Sequence, residues 1–316
     1  MSSTEPGPRG PIVLLGPQLG YREIKQVLDE LDVEGDIALI TAGWQENEGE
    51  FDALAAQMGR PAFNVALHER TDKVFAADPE FAEAATLRQK HLQHLQSFYR
   101  VRLDAIDDAA GAIAVRHVKA ELLEEQRQIS VAQLRHLDCD HLARCTALQD
   151  EFDETWKPAT RPAIASHREA VAAQIERSAA VVVAGGHVVA LLNRLRLFDA
   201  FARTGDRPII AWSAGAMTLT DRIVLFHDFP PFGKNLAQLV DTGLGLCPDV
   251  VVLPDMARRV RLDNRNGIGR FAQRMAPAAC LALDPGSQIV FQDRKILRAQ
   301  TACLTASGIV EQEWTP

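Results

Sequence analysis

Apolar positions along the 316-residue chain follow two rhythms, and the rhythm changes twice. It opens with short apolar runs separated by helical spacing. Ile12-Val13-Leu14-Leu15 reads as a buried strand, and Ile24, Val27, Leu28 and Leu31 then share one face of a helix over 21–31. Residues 36–41 predict a second strand, 51–58 a helix and 63–67 a third strand, with a polar loop over 43–48. From about 78 to 156 only the helical period remains. Phe81, Leu87, Leu92, Leu95, Phe98 and Leu103 recur at that spacing, Asp107 to Gly111 makes a break, and Val118, Leu122, Ile129, Leu134, Leu137, Leu148 and Phe152 resume it. This predicts a long helical hairpin. The first rhythm then returns, with a helix around 167–178, a strand at Ala180-Val181-Val182-Val183, helical spacing through Leu191, Leu192, Leu195 and Phe198, and a strand at Ile209-Ile210-Ala211-Trp212. The tail carries short β segments at 280–283, 288–291 and 301–305, with a turn at Asp293-Arg294.

Strand-helix alternation of this kind predicts an α/β fold with a doubly wound, mostly parallel sheet. Residues 12–68 and 160–316 are expected to share one such sheet, so that 1–77 and 158–316 make one domain. The hairpin, 78–157, is then a separable insertion between the third and fourth strands. Its charged faces and leucine seam suit packing on the core or on a second copy, so a homodimer is compatible with the pattern. Ligands of open α/β sheets collect at the carboxyl ends of strands. The polar loop with Glu46 is accordingly expected to face the same crevice as the chemistry, although a solvated acidic loop fits equally well.

The chemistry centres on Ser213. The apolar run at 209–212 ends on it, and Ala214, Gly215 and Ala216 follow. Small neighbours let a strand turn sharply into a helix and hold a serine in strained geometry above the sheet edge. A serine that merely caps the next helix is the plainer alternative. Upstream, Gly185-Gly186 stand where the strand at 180–183 becomes a helix, and amides at such a junction can point at a developing oxyanion. The Gly186 and Ala214 amides are the candidate donors.

These motifs, Gly185-Gly186 with Leu191-Leu192, Ser213-Ala214-Gly215-Ala216 and Thr242-Gly243-Leu244-Gly245-Leu246, resemble in order those of the cyanophycinase and aspartyl dipeptidase group of serine peptidases. The resemblance covers residues 160–316, and 12–68 by general pattern. It implies the class I glutamine amidotransferase-like, flavodoxin-like fold, a serine nucleophile, and a peptide or small-molecule amide as substrate with no cofactor. Two departures stand out. Where the family places its histidine the chain reads Val250-Val251-Val252-Leu253-Pro254-Asp255-Met256, and where it places an acidic pair the chain has Asp284-Pro285.

A serine needs a base to act at neutral pH. His227, with Asp228 beside it, and His187 are the nearest histidines in sequence, and Asp255 could serve if burial raised its pKa. Three readings follow: a serine hydrolase with a relocated base, a lapsed member of the same group whose crevice binds rather than cuts, or a different reaction in the same crevice. The serine at the elbow argues against a glutamine amidotransferase, which uses a cysteine there.

Composition narrows the partners. A formal charge of −8 disfavours a nucleic-acid surface. Five scattered cysteines suit reduced thiols in a cytoplasm better than a disulfide framework. Neither a signal peptide nor an apolar run of membrane-spanning length is visible. His136, Cys139, His141 and Cys145 cluster in the hairpin, but their spacing fits no zinc module and reads as ordinary buried or solvated side chains.

Overall fold

The computed structural model describes residues 9–18, 23–226 and 236–311. The first half of the sheet region runs β1 (Ile12–Leu15), α1 (Glu23–Glu30), β2 (Ile37–Ile40), a 3-10 turn (Ala42–Asn47), α2 (Asp52–Met58), β3 (Ala62–Asn64) and α3 (Leu67–Ala77). The hairpin is α4 (Pro79–Ala114) and α5 (Ala120–Trp156). There follow α6 (Pro162–Glu176), β4 (Ala180–Val183), α7 (Val188–Phe198), β5 (Ile209–Trp212), α8 (Ala214–Leu219), β6 (Arg222–Leu225), β7 (Gln238–Thr242), β8 (Val250–Pro254), α9 (Met256–Arg259) and α10 (Arg265–Met275). The chain closes with β9 (Ala279–Leu283), β10 (Gln288–Gln292), β11 (Lys295–Gln300), β12 (Cys303–Leu304) and β13 (Val310–Glu311).

The largest sheet has seven strands in the order β11-β10-β1-β5-β4-β2-β3. Its five strands from β1 to β3 are mutually parallel, while β10 and β11 add antiparallel on the β1 side. Alternation along each strand sends side chains to two cores. Leu14, Ile40, Val181, Val183 and Ala211 face the layer built from α3, α6, α7 and α8; Val13, Leu39, Val182 and Ile210 face α1 and α2. This is a mixed α/β architecture around a parallel-rich sheet, as the strand-helix rhythm implies.

The single sheet expected from 12–68 and 160–316 is corrected to three. β8 and β9 pair in parallel with each other and belong, with β12 and β13, to a four-stranded sheet, and β6 with β7 forms a separate antiparallel pair. Composition marks a buried strand but not its partner. The third strand is also shorter than 63–67. Asn64 Oδ1 accepts from the Ala66 amide, Ala66 turns at φ 58°, and the Glu48 carboxylate receives the His68 and Glu69 amides, which starts α3 at Leu67. The turn at Asp293-Arg294 is present, both residues at positive φ (49° and 62°), joining β10 to β11.

In the hairpin the break falls at 115–119 rather than at Asp107 to Gly111, since α4 runs unbroken to Ala114. Its start is set by Asp78, which accepts from the Phe81 amide at 3.1 Å ahead of Pro79. The expected seam divides. Phe81 and Leu103 are buried, but Leu87 and Phe98 lie on the outer face, 49% and 63% exposed. The inner face is fastened to the body by a buried network. Asp138 accepts from Arg274 Nε at 2.7 Å and from the Tyr99 hydroxyl at 2.9 Å, and Arg274 Nη1 donates to the Ala237 carbonyl at 2.8 Å. His141 stacks on Tyr99 with ring centroids 4.3 Å apart, and burial pushes its pKa down. Cys145 lies 3.7 Å from His141 Nε2, its thiol pushed up to about 12 by burial, whereas Cys139 and His136 are exposed. The five cysteines are unbridged. Among the described residues no helix is long and apolar enough to cross a membrane.

Candidate active site

Ser213 follows β5, whose neighbours on both sides are parallel: Leu15 pairs with Trp212 and Val183 with Ala211. Its backbone sits at φ 50°, ψ −124°, a conformation costing a non-glycine residue on the order of 1–3 kcal/mol. The next residues begin α8, and Met217 N donates to the Ser213 carbonyl at 3.0 Å. Gly215 is required here, because a Cβ on it would lie 2.5 Å from the Val183 carbonyl oxygen. The helix thus crosses directly over the end of β4. That contact fixes the elbow.

Gly185 presses against the serine: a Cβ there would come within 2.9 Å of Ser213 Cβ and 3.5 Å of its Oγ. Gly186, at φ 120°, is packed on Gly43, whose carbonyl oxygen a Cβ would meet at 2.4 Å, and the His187 amide donates to that same carbonyl at 2.7 Å. The ends of β2, β4 and β5 are therefore clasped through glycines. The strand order reverses between β2 and β4, so the clasp stands at the switch point of the sheet. Among the described residues the Gly186 and Ala214 amides donate to no protein acceptor, and Gly186 is exposed.

On the other side of Ser213, the sequence singles out Asp255 and Asp284 but not that the two stand together. Gly16 follows β1, and a Cβ on it would meet the Asp284 carbonyl oxygen at 2.0 Å. Pro254 pairs with Leu283, so Asp255 and Asp284 leave adjacent parallel strands at the same level. Burial pushes the Asp284 carboxyl up; the charge of Asp255 adds to this, and the Ala257 and Met256 amides oppose it. Asp284 Oδ1 accepts from Ala257 N at 3.0 Å. Asp255 is half-buried at φ 56°, 3.8 Å from Arg258 Nε. What the sequence lacks is their proximity, which follows only from the pairing of β8 with β9. α8, which Ser213 begins, packs against β8, which Asp255 ends.

His187 is exposed, and its Nδ1 accepts from the Ala190 amide at 3.2 Å, capping α7. A neutral ring so engaged carries its proton on Nε2 and presents a donor there. Glu46 is exposed on the 3-10 turn; the buried acid of that loop is Glu48, occupied at the start of α3. His227 and Asp228 lie outside the described residues. Among the described residues no hydrogen bond reaches Ser213 Oγ, and no group of three or more His, Cys, Asp or Glu is gathered as metal ligands.

No protein-family model matches the chain, and no curated protein matches it. Among solved structures, a peptidase from an acI-B1 Actinobacterium is 11% identical with a TM-score of 0.45, covering 94% of this chain and 91% of its own. A putative peptidase E protein from Listeria monocytogenes EGD-e is 9% identical with a TM-score of 0.42, covering 91% of this chain and 96% of its own.

Proposed function

We propose that the protein is a serine hydrolase of peptide or amide bonds, with Ser213 as nucleophile. The observation that carries the reading is the strained Ser213 backbone, held by Gly215 on β4 and Gly185 against the side chain, at the switch point of the sheet. Strain of that kind is kept where a nucleophile must be presented. Ser213 Oγ attacks the carbonyl carbon, and the Gly186 and Ala214 amides receive the oxyanion. The serine proton goes to the Asp284 carboxylate, which burial, with the charge of Asp255 beside it, has made a better base than an ordinary aspartate. Collapse of the adduct expels the amine, which takes up that proton, and water then cleaves the acyl-serine ester by the same route.

A second reading, a lapsed relative whose crevice binds, is favoured by the engagement of His187 as a cap. A fluorophosphonate probe separates the two. The hydrolase reading expects labelling of the wild type, none of Ser213→Ala, and a rate at least about 100-fold lower in Asp284→Asn. Loss in His227→Ala with Asp284→Asn unaffected would move the base to His227. An inert wild type would leave the binding reading.

A further inference from the structure

The loop that follows β2 holds a second residue in the backbone geometry of the nucleophile. Gln45 sits at φ 56°, ψ −122°, against φ 50°, ψ −124° at Ser213. Ala66, Lys157 and Asp255 also have positive φ, but with ψ of 49°, 59° and 42° they occupy the ordinary left-handed well. Glycine adopts the Gln45 conformation without strain; a side chain does so only where its surroundings impose it, and such positions cluster at ligand-binding sites. A glycine at 45 would make the same turn freely, so the turn does not account for the side chain.

The loop is pinned on each side of Gln45. Thr41 Oγ1 donates to the Glu48 carbonyl at 2.9 Å, Asn64 Nδ2 donates to the same carbonyl at 2.7 Å, and the Glu48 carboxylate is held at the start of α3. Trp44 packs on the core shared with α1 and α2. Gly43 lies so close to the loop after β4 that a Cβ on it would meet the Gly185 carbonyl oxygen at 2.6 Å. Gln45 itself is half-buried, and among the described residues its side-chain amide is engaged by no other group.

Its place matters as much as its strain. The sheet reverses its winding between β2 and β4, and the crevice between their carboxyl-end loops is where an open α/β sheet takes a ligand. Gln45 belongs to one of those loops; Gly185, which presses on Ser213, and Gly186 belong to the other. Where the two loops touch, the contact is made by Gly43, Gly185 and Gly186, so the crevice is narrowed there by backbone and not by side chains.

We propose, resting on Ser213 as nucleophile, that Gln45 is a specificity-determining residue that binds a second peptide group of the substrate, beside the one that is cleaved. A primary amide carries an acceptor and two donor hydrogens on one planar group. It is the complement of a peptide unit, accepting from its N–H while donating to its carbonyl. A substrate whose single amide is already at Ser213 offers Gln45 nothing to hold, whereas an extended peptide does.

Hydrolysis of two substrates by the full chain tests this: p-nitrophenyl acetate, which has no peptide group, and a pool of random tetrapeptides at low concentration, followed through the amines released. Gln45→Ala should lower the rate on the pool by about 10-fold or more, the effect of two neutral hydrogen bonds. It should change the rate on the ester, and the labelling of Ser213 by an alkyl fluorophosphonate, by less than about 2-fold. Gln45→Gly, which removes strain and side chain together, should lose the pool activity equally and melt no lower than the wild type. Equal losses on ester and pool, a pool rate untouched by Gln45→Ala, or a Gln45→Gly variant that melts lower would each overturn the assignment and leave the hydrolase reading intact. A wild type that cleaves the ester but not the pool would do the same, whereas a wild type inert to ester, pool and probe would end both.

Discussion

Asp284 and Ser213 show how differently single residues reveal themselves. Small residues after an apolar run made Ser213, Gly185 and Gly186 visible in the sequence, because their job is steric and local. Asp284 and His187 are also singled out in the sequence, but the closeness of Asp284 to Asp255 depends on the parallel register of β8 with β9, and the cap made by His187 on a ring orientation. The raised Asp284 carboxyl has a consequence for stability. Its folded-state pKa lies above the ordinary 3.8, so the folded protein holds this proton where the unfolded chain has released it. Stability therefore falls as pH rises from about the ordinary carboxylate value through the raised one. Asp284→Asn removes that titration and keeps an oxygen for the Ala257 amide. Its melting temperature should exceed that of the wild type at pH 7, with the gap closing below the ordinary carboxylate pKa. Thermal melts across pH 3 to 7 measure this, and a variant less stable than wild type at pH 7 would contradict it.

Between elements, what the sequence offered was type rather than partnership. Helical spacing identified α4 and α5, yet a helix with apolar residues on two faces gives one mixed list, which is why Leu87 and Phe98 read as seam residues beside Phe81 and Leu103. Strands β9, β10 and β12 of the tail were likewise visible, while β11, β13 and the division between two sheets were not. What joins the hairpin to the body is polar and long-range: the side chains of Arg274 and Asp138 are 5% and 6% exposed and come from elements 136 residues apart. Asp138→Ala would strand a buried guanidinium, a loss of about 3–5 kcal/mol. Replacing both partners with apolar residues, Asp138→Leu with Arg274→Met, should cost far less. Urea unfolding of the single and double variants decides it, and equal losses in the two would mean that the network contributes through packing alone.

For the whole molecule, a cavity of about 1300 Å³ opens between the hairpin and the far end of α7, among Arg88, Arg168 and Leu197, while Ser213 and the N-terminus of α7 lie at the carboxyl edge of the sheet. The inner face of the hairpin is thus one wall of the molecule. Tyr99, Leu103, Leu134 and Leu137 share a core with Val224, Leu239, Val251 and Met275 of the body. An insertion read from sequence as separable is, at its base, part of that core, and only its outer end, near 110–126, is solvated nearly throughout. Two deletions should consequently behave in opposite ways. Removing 80–154 strips apolar cover and the Asp138 partner of Arg274 together, and the product should lack a cooperative melt. Removing 110–126 with a short glycine bridge leaves Tyr99, Leu103, Leu134 and Asp138 in place. It should shift the melting midpoint by less than about 4 °C, the change 1 kcal/mol makes in a domain of this size. A cooperative melt after the longer deletion would show that the body folds without the hairpin, and its apolar face would then need another cover.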